Sequence, residues 1–162
     1  MASETSPLPV ILCGRTEQIA RGVIATLQPD IEGMFELHNR SGAPYLIATV
    51  VHLILTPEAG KVQIPALLKG EKEVPSDSEL GSKNYEKAPV AVLLGAGYDD
   101  KAIEELRKAS EGTNVPWLRP DTTKPAPPLG PEYGKALVAR IKETIKTLTE
   151  EKKMEEDAVV WY

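Results

Sequence analysis

Leu8-Pro9-Val10-Ile11-Leu12-Cys13-Gly14-Arg15-Thr16-Glu17-Gln18-Ile19-Ala20 is an apolar run that stops at a glycine and restarts at helical spacing. It reads as a buried strand feeding a helix. Ile19, Ala20, Val23, Ile24 and Leu27 recur on the three-four spacing of one apolar stripe, and Pro29 ends the segment. In an open parallel sheet this junction lies at the carboxyl edge, where backbone N–H groups and the positive end of a helix dipole meet an anion. The stretch marks the place of a phosphate-bearing ligand; it does not identify a reaction.

The same strand-to-helix signature recurs downstream. Thr49 to Thr56 is a second apolar strand, followed by Pro57-Glu58-Ala59-Gly60 and a helix through Leu67 and Leu68 that Pro65 shortens or kinks. Ala88 to Gly97 is a third apolar run ending in glycines, and Asp99 and Asp100 start an amphipathic helix with Ile103, Leu106 and Ala109 inward, ended by Gly112. Val115 to Leu118 is a short strand whose Pro116 suits an edge or a first position. After a proline-rich loop from Arg119 to Gly130, a long helix opens at Pro131 and runs to about Glu151, with Tyr133, Leu137, Val138, Ile141, Ile145 and Leu148 on one face. The tail Val159-Val160-Trp161-Tyr162 either docks as an extended segment or stays loose, and is a candidate homodimer surface.

Strands alternating with helices define an α/β protein: a three-layer open parallel sheet with helices on both faces and right-handed crossovers, Rossmann-like or flavodoxin-like in order. A length of 162 residues suits one domain over 1–162, with a flexible segment at 1–7 and an exposed, mobile connection at 70–87. Residues 33–50 hold material for two strands where one is wanted. They read as an extra hairpin or edge strand, or as an insertion, even translated intron, whose removal would join Asp30-Ile31-Glu32 to Val51-His52.

Composition narrows the function classes. A net charge of -5 disfavours nucleic acid and anionic membrane as partners. A single cysteine allows no internal disulfide and suits a reducing compartment, the cytoplasm by default. The longest apolar run, Tyr45 to Leu55, falls short of the roughly 20 residues of a membrane span. His38 and His52 have no metal-ligand spacing, and no metal is expected; His52 inside an apolar strand fits a hydrogen-bonded core residue better than a base.

Three strand-end loops carry the candidate ligand contacts. In the first, Gly14 permits close approach, Arg15 can contact a phosphate and Thr16 can cap the helix while donating to the same anion, against the repulsion of Glu17. In the second, Gly95 and Gly97 let Tyr98 or a ribose pass near the backbone. In the third, Arg119, Thr122 and Lys124 can clamp an anionic group; alternatively Arg119 pairs with Asp121 to fix the loop. Cys13 is either a thiol activated by the helix terminus or simply packed. The first loop has Gly14 and then Gly22, not the full Gly-x-Gly-x-x-Gly fingerprint.

Ile11 to Ile19, Leu93 to Asp99 and Pro116 to Asp121 together resemble a family of small fungal proteins described as Rossmann-like NAD(P)-binding domains. The Arg119-Pro120 pair is more loosely similar to NmrA-type atypical reductases, although the chain has no Tyr-x-x-x-Lys pair in its middle. The resemblance implies a small-molecule nucleotide ligand, NAD(P), with sensing or weak reductase activity. A cofactor-free interaction module and a phosphate-ester or nucleoside-processing enzyme are the alternatives.

Overall fold

The computed structural model describes residues 8–27, 48–76, 78–128 and 131–162. The segment at 1–7 and most of the 33–50 interval lie outside the described residues. Ala48, Thr49 and Val50 are described, and they belong to the sheet, pairing with Leu8, Pro9 and Val10.

The elements alternate along the chain as β1 (Leu8–Cys13), α1 (Glu17–Leu27), β2 (Ala48–Ile54), α2 (Pro57–Leu68), β3 (Ala91–Leu94), α3 (Asp100–Ala109), β4 (Pro116–Arg119), α4 (Pro131–Glu150) and β5 (Ala158–Trp161). All four strand pairings are parallel, and the order is β2-β1-β3-β4-β5. That is the flavodoxin-like order. β1 and β3 are continuously apolar because both their faces are covered. Val10, Leu12, Ala91, Leu93 and Leu118 pack under α1 and α4. Ile11, Cys13, Val92, Leu94 and Trp117 pack under α2 and α3 on the other face.

This arrangement departs from the expected uniform crossovers. The chain moves from β1 outward to β2 over the α1 face, and from β2 to β3 and β3 to β4 in the opposite direction over the other face. Reversing both direction and face preserves the hand. From β4 to β5 the chain continues in that same opposite direction, yet α4 lies on the α1 face, so this connection has the opposite hand to the other three. Coverage explains the exception. The α2 and α3 helices already shield one face, whereas α1 has only 11 residues; among the described residues α4 is the long helix that packs with it over Leu93 and Leu118. The 20-residue stripe of α4 buries Leu137, Val138, Ile141, Ile145 and Leu148 there, and the burial of five such side chains outweighs the usual preference of hand. A long proline-rich loop after β4 gives the chain room to change face.

The tail docks. Pro116 is therefore the first residue of an internal strand, not an edge residue, because β5 pairs alongside it. Pro65 sits inside α2 near its end, and the helix runs through it to Leu68.

The described residues of the 70–87 connection form no helix or strand, and the segment is anchored. Ser82 and Lys83 donate their backbone N–H groups to the Val50 and Val51 carbonyls, both at 2.9 Å, and so cover the outer edge of β2. The register shift between Val10 and Ile11 turns this part of β2 toward the strap. Gly81 makes the approach possible: its φ is +96°, and a methyl there would sit 2.9 Å from the Val51 oxygen. His52, fully buried, has its ring nitrogens 2.7 Å from Gln63 Oε1 and 2.7 Å from the Tyr85 hydroxyl, which ties the strap to α2.

Gly81→Ala is expected to cost about 1–3 kcal/mol, from backbone strain compounded by the carbonyl clash. Gly70→Ala, with φ +87° but open space around it, is expected to cost less. Urea denaturation of both variants checks the difference, and equal losses would contradict a tight strap.

Candidate functional site at the strand-order reversal

At the carboxyl edge the chain leaves β1 toward one face and β3 toward the other, which opens a crevice between Cys13 and Leu94. A slot of about 360 Å³ occupies it. Leu12, Gly14, Arg15 and Thr16 form one side, Gly95 to Gly97 the second, and Tyr133, Leu137 and Ile141 of α4 the third, with Tyr162 also lining it. The unusual crossover is what supplies the α4 wall.

The amides at this edge divide into used and free. Gly14 N–H donates to Ile54 O at 2.9 Å and Gly95 N–H to Cys13 O at 2.8 Å, so neither remains for a ligand. Thr16 caps α1 through its carbonyl to Ala20 N–H at 3.2 Å and its hydroxyl to Ile19 N–H at 3.4 Å. Glu17, the feared repulsive group, turns away: its carboxylate accepts from the Ser78 hydroxyl at 2.6 Å and lies 3.8 Å from Arg21. The Glu17 carboxylate is thus held outside the slot while it stays in the first turn of α1.

Arg15 bridges the two glycine loops. Its Nε–H donates to Gly97 O at 2.8 Å, and its aliphatic stem lies so close to Gly97 that a methyl there would meet it at 2.8 Å. The terminal guanidinium nitrogens have no hydrogen-bond partner among the described residues. The slot is mainly apolar, and Arg15 is the cation that lines it among the described residues.

Of the residues singled out from sequence, Gly14, Arg15, Thr16, Gly95 and Gly97 meet at the slot, and Tyr98, Arg119, Thr122 and Lys124 do not. Tyr98 is buried on the α2/α3 face, where its hydroxyl donates toward Ile54 O at 3.1 Å and Gly14 O at 3.4 Å. The expected Arg119–Asp121 pair does not form. Arg119 instead bonds Asp100 at 2.7 Å and stacks on Trp161, 4.1 Å from the ring centroid, while Asp121 accepts from Thr123. Arg119 and Lys124 form no clamp: Lys124 lines a separate groove beside α4 and β5, and Thr122 is exposed.

The tyrosines of the slot escaped sequence reasoning for identifiable reasons. Tyr133 was legible only as one member of an apolar stripe. Tyr162 required knowing that the tail docks; it is 2% exposed, and its hydroxyl donates to Leu94 O at 2.6 Å.

Cys13 is packed, not activated. It is wholly buried, and desolvation pushes its thiol well above the ordinary 9.0. Burial likewise raises Tyr98 and Tyr162 well above 10.0. Native Cys13 is therefore expected to resist iodoacetamide near neutral pH until the protein unfolds; stoichiometric labelling of the folded protein would contradict this packing.

No family model matches the chain, and no solved structure matches it. The fold and crevice define a three-layer α/β protein of flavodoxin-like strand order. The chain is 34% identical over 157 residues to Kojic acid related protein 6 of Aspergillus oryzae, a match that spans 94% of this chain and 84% of that one. It belongs to the family of that fungal protein.

The raised tyrosine and cysteine pKa values fix a pH dependence. In the unfolded chain these groups ionise near 9.0 and 10.0, while the folded protein holds them neutral to higher pH. The stabilisation is full below pH 9 and falls as pH rises beyond it, since ionisation then favours the unfolded state. Denaturation curves from pH 8 to 11 are expected to show this loss, with a shallower slope in Tyr98→Phe and Tyr162→Phe.

Proposed function

We propose that this protein binds a nucleotide cofactor, NAD(P) first among the candidates, at the crevice between β1 and β3. The observation that carries the reading is the apolar slot opening at the N-terminus of α1, with the Arg15 guanidinium at its rim. A flat ring would enter between the α4 wall and the glycine loops, and a phosphate would meet Arg15, Thr16 and the first amides of α1. At about 360 Å³, the slot suits one ring-bearing half of a dinucleotide better than the whole, with the remainder along the loops.

Binding and sensing fit this site better than turnover. The ionisable side chains lining it among the described residues are Cys13, Arg15, Tyr133 and Tyr162. Cys13 and Tyr162 are held neutral by burial, so neither offers an acid or base poised near pH 7.

A thermal-shift panel of NADPH, NADH, FMN, coenzyme A, ATP, S-adenosylmethionine and kojic acid tests the reading. The last is included because the relative's name carries it. Ligand at about 100 times its Kd stabilises a fold by roughly 2.7 kcal/mol, a shift of a few degrees in a domain of this size. The expected result is a shift with a nicotinamide nucleotide that Arg15→Glu weakens. A panel in which no nucleotide stabilises the folded protein would overturn the proposal.

A further inference from the structure

The two edges of the sheet are treated differently. The outer edge of β2 is covered by the strap at Ser82 and Lys83, while no described residue pairs with the outer edge of β5. β5 also has none of the usual protections of an exposed edge, for Ala158-Val159-Val160-Trp161 contains no charge and no proline.

The ladder shows which backbone groups are free. Tyr162 donates its N–H to Arg119 O at 2.9 Å and accepts from Asp121 N–H at 2.7 Å, so both its groups face β4. Parallel pairing alternates, which turns Ala158 and Val160 inward in the same way and leaves the N–H and C=O of Val159 and Trp161 pointing out. Beside them stands a prepared anchor. The Trp161 side chain, 52% exposed, is held against Arg119, which Asp100 fixes in turn. Exposed tryptophan on a positioned arginine is the chemistry of an interface hot spot.

We propose that β5 is a homodimer edge, where two copies of this chain pair antiparallel about a two-fold axis through Val160. The free groups are two residues apart, so this register matches Val159 of each copy with Trp161 of the other and satisfies all four donors and acceptors on each side. It also sets an aromatic ring beside a β-branched neighbour. Charge favours a second copy over a charged peptide. The groove of about 580 Å³ along β5 carries Lys124, Arg140 and Lys153 against Glu143, Glu151 and Glu156, a balanced set in a chain of net charge -5. No partner of one sign is selected, while the free groups of Val159 and Trp161, spaced evenly about Val160, are self-complementary under a two-fold axis.

The register makes a covalent test available. Val160 and its symmetry mate form a pair without mutual hydrogen bonds, with Cα atoms about 4.5 Å apart, inside the range of about 4.4–6.8 Å that a disulfide spans. Sedimentation equilibrium on the full chain is expected to give twice the chain mass at high micromolar concentration. Val159→Pro removes one outward donor without touching the ladder to β4, and Trp161→Ala removes the anchor; both are expected to give folded monomers, with the fold checked by circular dichroism. Under mild oxidation Val160→Cys is expected to form a covalent dimer and Val159→Cys to form none, because Trp161 lies opposite; the buried Cys13 takes no part. A wild-type chain that stays monomeric would overturn the proposal and leave the edge to a different protein. A dimer that survives Val159→Pro and is not trapped through Val160→Cys would place the contact elsewhere and overturn it equally.

Discussion

The covering of one sheet face by α4 is the constraint on which the rest of the architecture depends. Among the described elements, the first four strands and three helices leave the α1 side of β3 and β4, with Leu93 and Leu118, for α4 to cover. The chain resolves this by crossing to the α1 face after β4, accepting a connection of unusual hand to gain a long apolar contact. The slot follows, because the first turns of α4 stand over the β1/β3 crevice. So does the fifth strand, since the descending helix delivers the chain to the outside of β4.

A second layer of order comes from hydroxyl groups that tie strand ends together. Tyr98 and Tyr162 approach the crevice from opposite faces and donate to the carbonyls of Ile54, which also accepts from Gly14 N–H, and of Leu94. Each such bond contributes about 1 kcal/mol net. With Arg15 joining the two glycine loops, the edge is preorganised before any ligand arrives. The same economy of partners explains Arg119, which spends its charge on Asp100 and Trp161 instead of the slot.

The parts of this structure that were legible in the sequence are those governed by short-range pattern. The apolar runs of β1 and β3, the cap at Thr16 and the stripe of α4 follow from burial and helical period alone, and with them the parallel sheet and the loop at Gly14. Long-range choices were not legible. The face chosen by α4 depends on which surface the other helices leave bare, a property of the assembled sheet. Arg119 has Asp121 two residues away, yet its partner is Asp100, because α3 brings that carboxylate to the end of β4. The strap at residues 81–85 has a polar, aperiodic sequence that gives no sign of the β2 edge it covers; only Gly81 and its forced backbone mark the contact.

The central claim is that ligand recognition belongs to the crevice between β1 and β3, walled by α4. Amide chemical-shift perturbation on titration with NADPH tests it most directly. The account predicts shifts concentrated at Gly14 to Gln18, Gly95 to Gly97 and the first turns of α4 near Tyr133, with the β5 groove and the strap unaffected. Saturable shifts confined to the β5 groove, or none at any concentration, would contradict it.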